Sequence, residues 1–409
     1  MSLSRRKFLL QSGLIGCSLA ASPLVTPVSY AAAPWDHRLV VIILRGGMDG
    51  LDVVQPYGDP LYAELRKSLP GGPSHGAKDL DGFFALNAGL EPLMPLWAAG
   101  ELAFVQAVST PYRDKRSHFD GQDLLEAGTP GLNDARDGWL NRMLTKVSGV
   151  EARTAFAVGQ GDMKLLSGPA PVTEWSPDAK LRLSAQAERL AGLLMEEDPL
   201  FHASFSQAVE LTRQTAGEPS DQDSMGGEMD MGMSMATMQQ SGALQTHQKI
   251  AAYTADQLRG DTRIAAFSLN GWDTHAKQQR VLGRALSQLA ESILTLKAGC
   301  GEAVWSKTSV VAMTEFGRTA RGNGTGGTDH GTGGAMLLAG GAIKGGRVYG
   351  RWPGLAEADL FDRRDLMPTG DVRAQAAWIM RGMLPISQTA LETHVFPGLD
   401  MGANPGLLL

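Results

Sequence analysis

Residues 309–341 read SVVAMTEFGRTARGNGTGGTDHGTGGAMLLAGG. Two apolar runs, 310–313 and 335–339, enclose a glycine-rich loop that carries Glu315, Arg318, Asp329 and His330. Short apolar runs bounded by glycine are the pattern of strands buried on both faces, as in parallel sheets. Ligands of open α/β sheets collect outside the carboxyl ends of such strands. The stretch therefore predicts two buried strands with a functional loop between them, in a mostly parallel central sheet with helices on both faces.

Working outward, the same pattern recurs. Residues 39–44, LVVIIL, open into Arg45-Gly46-Gly47-Met48-Asp49-Gly50, which places Asp49 and Asp52 just beyond a strand's carboxyl end. Residues 102–108, 156–158 and 263–269 are further strand candidates, and the last runs into Asn270-Gly271-Trp272-Asp273-Thr274-His275. Helical spacing marks 61–67, 90–99, 137–147, 251–258, 281–296 and 371–383, with Asp371 near the start of the last. The stripe Leu282, Leu286, Leu289, Ile293 and Leu296 is core packing and carries no chemistry. Residues 344–350 read as a hairpin or a turn into an edge strand, and 181–195 with 200–211 as a helical insertion. His75 sits in a polar loop without a partner in sequence. Ser117, three residues before Asp120, is a helix-start pattern. A helix start also suits an anionic ester group, so Ser117 is a cap, a nucleophile, or both in different states.

The 409 residues (43.5 kDa) are enough for one large α/β domain, expected over 34–409. Before it, Ser4-Arg5-Arg6-Lys7-Phe8-Leu9-Leu10, a short apolar run and Ala31-Ala32-Ala33 read as an export signal over 1–33. Its paired arginines resemble a twin-arginine signal, which implies the twin-arginine export machinery as partner and a periplasmic or otherwise exported protein. Leu14-Ile15-Gly16-Cys17 also resembles a lipoprotein box, but the apolar run before Cys17 is short for a signal core, so lipidation is the lesser reading. Losing the leader removes Arg5, Arg6 and Lys7 and no acid, leaving the chain more acidic than its formal −6, a poor balance for nucleic-acid binding. No later apolar run is long enough to span a membrane, and with Cys300 the one remaining cysteine there is no internal disulfide. In 217–242, Met225, Met229, Met231, Met233, Met235 and Met238 stand among Gly, Ser, Asp and Glu. Such a tract is a disordered insertion by composition, and its soft thioethers also suit Cu(I).

The acids and imidazoles at predicted strand ends are Asp49, Asp273, His275, Glu315, Asp329 and His330. A mixed carboxylate and imidazole set suits zinc, manganese or magnesium, in one- or two-ion hydrolase sites. Residues 39–52, Arg116-Ser117-His118-Phe119-Asp120, Gly271-Trp272-Asp273-Thr274-His275, Thr314-Glu315-Phe316-Gly317-Arg318-Thr319 and Gly327-Thr328-Asp329-His330-Gly331 resemble the signature segments of the domain-of-unknown-function-1501 family. That family in turn resembles the alkaline phosphatase and sulfatase superfamily. The resemblance implies two metal positions around a phosphate or sulfate ester, with Asp273, His275 and His330 at one ion, Glu315 and Asp49 at a second, and Ser117 as nucleophile. Two positions depart from it. Phe316 stands where a metal-binding histidine is expected, and Arg45 near the place of the first-strand acid, so one metal position is weakened or Asp329 replaces the missing ligand.

Two accounts of function stay open. One is a zinc- or manganese-dependent hydrolase of small anionic esters, with Arg318, Arg321 or Arg113 holding the anion; Arg318 is equally suited to an ion pair with Glu315. The other is an exported binding protein that keeps the fold without turnover and handles copper through its methionines. Nucleotide binding is disfavoured, since no G-x-G-x-x-G turn opens a helix.

Overall fold

In the computed structural model the predicted run 39–44 becomes a strand whose side chains alternate between two cores. Leu39, Val41 and Ile43 enter one, and Val40, Ile42 and Leu44 the other. A strand apolar on both faces belongs in the middle of a sheet covered on both sides. The structure describes residues 35–113, 116–159, 163–176 and 244–409. The predicted leader with Cys17, the helical candidates 181–195 and 200–211 and the methionine-rich 217–242 lie outside the described residues.

In chain order the strands are β1 (Arg38–Arg45), β2 (Val54–Gln55), β3 (Lys78–Asp79), β4 (Ala85–Leu86), β5 (Leu102–Ser109), β6 (Ala155–Val158), β7 (Thr173–Trp175), β8 (Ile264–Asn270), β9 (Thr308–Met313), β10 (Gly334–Ala339), β11 (Arg347–Tyr349) and β12 (Gly370–Asp371). The main sheet has the order β11-β5-β10-β9-β1-β8-β6-β7 with β12 also on β5, and β2, β4 and β3 form a small second sheet. Helices α1 (Gly50–Val53), α2 (His118–Ala127), α3 (Trp139–Leu144), α4 (Thr246–Arg259), α5 (Gln278–Trp305) and α6 (Val372–Met383) connect and cover them. Helices α4 and α5 lie on the face of Val40, Ile42 and Leu44, while α3 and α6 cover the opposite face. The Leu282, Leu286, Leu289, Ile293 and Leu296 stripe of α5 is buried there, each side chain contributing about 2 kcal/mol of transfer free energy. The predicted cap of α6 is present, Asp371 accepting from the Arg373 backbone N–H at 2.8 Å. His75 is exposed and bonded to the Gly71 carbonyl at 2.9 Å. No helix among the described residues is long and apolar enough to cross a membrane.

One feature of the opening stretch differs from its reading. β9 is parallel to β1, but β10 runs antiparallel to both β9 and β5. A parallel return needs a crossover, usually a helix, and residues 314–333 contain none. The chain instead folds back as a ribbon, with Thr319 N–H bonded to Asp329 O and Gly331 N–H to Gly317 O. The glycines permit this closeness, since a Cβ on Gly317 would lie 1.8 Å from the Gly333 oxygen. The functional loop consequently sits at the carboxyl end of β9 and the amino end of β10. It stands beside the carboxyl ends of β1, β5 and β8.

Candidate metal centre

Asp273 follows β8, and three imidazoles approach its carboxylate. His275 Nε2 is 3.1 Å from Oδ1, His330 Nε2 is 3.4 Å from Oδ1, and His118 Nε2 is 3.4 Å from Oδ2. Ligand atoms of His118, Asp273 and His330 all lie within 4.8 Å of one another. His275 adds a fourth donor, its Nε2 being 2.9 Å from His330 Nε2.

The other nitrogen of each ring fixes its tautomer. His118 Nδ1 is 2.8 Å from Glu315 Oε1, His275 Nδ1 is 3.2 Å from Asp329 Oδ1, and His330 Nδ1 is 2.7 Å from the Arg116 carbonyl. All three partners accept only, so a neutral ring that donates from Nδ1 to its partner presents Nε2 as a lone pair. In that tautomer three lone pairs and a carboxylate converge, the Nε2 atoms of His275 and His330 lie 2.9 Å apart with no proton between them, and His118 Nε2 is buried without a hydrogen-bond partner. A cation at this point satisfies all of these donors, and imidazoles oriented by carboxylates or carbonyls are the usual environment of metal-ligating histidine. The donor set is one that can hold a divalent metal ion.

The charges are arranged accordingly. Burial alone would push Asp273 up, but the hydrogen bond and charge of Arg318 outweigh it and hold the carboxyl below its ordinary range. Burial likewise opposes ionisation of Glu315, and its bonds from His118, Gln122 and Thr314 prevail, again lowering it. The Asn323 hydrogen bond lowers Asp329. The Glu315 bond raises His118, whereas burial lowers His330.

The expected site residues separate into distinct places. Asp273, His275 and His330 come together. Glu315 and Asp329 stand behind His118 and His275, and the fully buried Glu315 also accepts from the Gly46 backbone N–H. Asp49 lies elsewhere: it caps α1 and makes a two-bond pair with Arg66 at 2.5 and 3.0 Å, both residues buried. Arg318 pairs with Asp273 rather than Glu315, at 2.6 Å. Its Nε donates to Gly47 O, its Nη1 to Thr328 O and its Nη2 also to Gly46 O and Trp272 O, so all three nitrogens of the buried guanidinium are engaged by Asp273 and backbone carbonyls. Arg45, near the place of the first-strand acid, is paired with Glu126 at 2.8 Å. Phe316 stacks beside His118 and His330, with ring centres 5.1 and 4.9 Å away, and fills with hydrocarbon the flank where a further ligand was expected. Arg113 donates to the Thr110 and Tyr112 carbonyls, and Arg321 lines a separate pocket with Leu355 and Arg364.

Ser117 is the cap of α2, its Oγ accepting from the Asp120 backbone N–H at 3.4 Å. It stands between Arg116, whose carbonyl holds His330, and His118. Arg116 has φ 51°, a left-handed conformation that costs a non-glycine residue about 1 kcal/mol or more. His118 is the residue that sequence reading missed. The signal was available: it is an imidazole at a helix start after a strand's carboxyl end, the rule that singled out His275.

No curated protein matches this chain in sequence. Among solved structures, the chain is similar to the C-terminal periplasmic domain of EcEptC from Escherichia coli in complex with zinc, at 12% identity and TM-score 0.32, covering 76% of this chain and 74% of that one. It is similar to the alkaline phosphatase of the Antarctic bacterium TAB5, at 11% identity and TM-score 0.33, covering 77% and 95%. A protein in the alkaline phosphatase superfamily from Vibrio parahaemolyticus is similar at 10% identity and TM-score 0.32, covering 78% of this chain and 63% of that one. Residues 106–375, which include His118, Asp273, His275, Glu315, Arg318, Asp329 and His330, match the family described as "Protein of unknown function (DUF1501)", and the chain belongs to that family.

Proposed function

We propose that the chain is an exported hydrolase of small phosphate or sulfate esters that works with one divalent ion, zinc or manganese, held by His118, Asp273, His275 and His330. The observation that carries this reading is the hydrogen-bond pattern: three Nδ1 nitrogens are tied to acceptors, which in neutral rings turns three Nε2 lone pairs toward one carboxylate. A bound ion would polarise an ester oxygen and lower the pKa of a bound water or hydroxyl. Glu315 and Asp329 orient the rings of His118 and His275, and Arg318 keeps Asp273 ionised. Ser117 Oγ, at the start of α2 beside His118, is the hydroxyl we assign to the anionic group, where the helix dipole favours negative charge. Phe316 and the engagement of Asp49 by Arg66 favour one ion over two.

The test begins with metal content by mass spectrometry, for wild type beside His330→Ala and Asp273→Ala. About one equivalent of zinc or manganese, abolished by both substitutions, is the expected outcome and leads to a screen of phosphate and sulfate esters. A folded wild type that stays metal-free in excess ion would overturn the reading.

The engagement of Arg318 by backbone carbonyls favours a second reading, a metal-holding export protein without turnover. A metal-loaded chain that cleaves no ester in the screen would support it.

A further inference from the structure

We propose that Gln278, the first residue of α5, is a positioning residue of the metal centre that sets the spacing between the two loops bearing His275 and His330. This rests on the metal reading above. Gln278 is fully buried, and its carboxamide uses its full bonding capacity. Oε1 accepts the Thr274 hydroxyl at 2.9 Å and the Thr328 hydroxyl at 2.7 Å. Nε2 donates to Asp49 Oδ2 at 2.6 Å and to Asp52 Oδ2 at 2.8 Å.

The two threonines are the links that matter. Thr274 lies between Asp273 and His275, and Thr328 lies two residues before His330. Both are fully buried. One carbonyl oxygen therefore clamps the two ligand loops from behind, while the amide protons anchor that oxygen to the loop after β1. The loops meet backbone to backbone at the same point: Thr328 N–H donates to Thr274 O at 3.2 Å, and a Cβ on Gly327 would lie 2.4 Å from the His275 carbonyl atoms. Gln278 N–H adds a bond to Gly326 O at 2.8 Å. The 2.9 Å separation of His275 Nε2 from His330 Nε2 is thus set by a buried carboxamide that touches neither ring. Removing one hydroxyl leaves a buried acceptor half-satisfied and lets its loop relax, while the ligands themselves stay in place in sequence.

The experiment is a titration of the full chain with Co2+, followed by its visible d–d absorption. The variants are Thr328→Val, Thr274→Val, Thr328→Ser and Gln278→Glu. Thr328→Val should bind cobalt about tenfold more weakly, the scale of outer-shell losses, with a changed band shape. Thr328→Ser, which keeps the hydroxyl, should restore both, and Gln278→Glu should weaken binding at least as much as either valine variant. Valine variants with wild-type affinity and spectrum, or a serine variant no better than valine, would overturn the proposal. If one valine variant does not fold, the other decides. A wild type that takes up no cobalt removes the metal reading itself, an outcome distinct from cobalt binding indifferent to Thr274, Thr328 and Gln278.

Discussion

Two clusters of acids stand at the same edge of the sheet and are completed in opposite ways. Around Asp49 the protein supplies its own cation: Arg66 pairs with Asp49, Gln278 and Asn87 serve Asp52, and Asp49, Asp52 and Arg66 are all buried. Burial and the neighbouring Asp49 raise the Asp52 carboxyl above its ordinary range. Around Asp273 the side chain remains 47% exposed, Arg318 donates to it, and the Nε2 nitrogens of three rings face it. The first cluster is closed by the fold. The second stays open at the surface, and the proposed ion belongs there although Asp49 looked equally suitable in sequence.

The contrast is broken most severely at Arg66. Arg66→Met leaves Asp49 buried without its partner and should destabilise the chain by about 3–5 kcal/mol, read as a lowered urea midpoint. The same experiment on His275→Ala, at an exposed position, should change stability of the metal-free chain by only about 0.5 kcal/mol while reducing metal affinity at least a hundredfold. A large stability loss there would mean that the histidine cluster is structural after all. Glu315→Gln tests the layer behind the ligands. It keeps the shape but can turn a donor toward His118 Nδ1, and metal affinity should fall by about 10- to 100-fold by isothermal titration. Ser117→Ala should cost about 1 kcal/mol of stability through loss of a helix cap, well below the cost at Arg66. If Ser117 also accepts the anionic group, ester turnover should drop far more than that cost explains, and an unchanged rate would reduce Ser117 to a cap.

Much of this arrangement was legible from residue order. The apolar runs at 39–44, 263–269 and 309–313 became adjacent parallel strands because only the interior of a covered sheet accommodates side chains that are apolar on both faces. Asp273, His275 and His330 were placed at strand ends by the same logic. What misled the reading was chemistry shared by different environments. A carboxylate after a strand serves equally as a metal ligand, a helix cap or half of an ion pair, and Asp49 became the last two because Arg66, seventeen positions away, is folded beneath it. Arg318 was read as a free cation or a partner of Glu315, whereas the ribbon formed by residues 314–333 turns it inward onto four backbone carbonyls.

The sequence by itself determined the class of fold, the sheet edge where acids and imidazoles gather and most of the residues found there, since these follow from hydrophobic periodicity and from glycine at strand ends. Only the tertiary structure decided which nitrogen of each histidine faces Asp273, that His118 joins the cluster, that β10 returns antiparallel, and which acids gather with imidazoles and which are closed off by an arginine. Those outcomes depend on contacts between segments far apart in the chain, where a hydrogen bond of about 3 Å selects one role from several that the same side chain is able to fill.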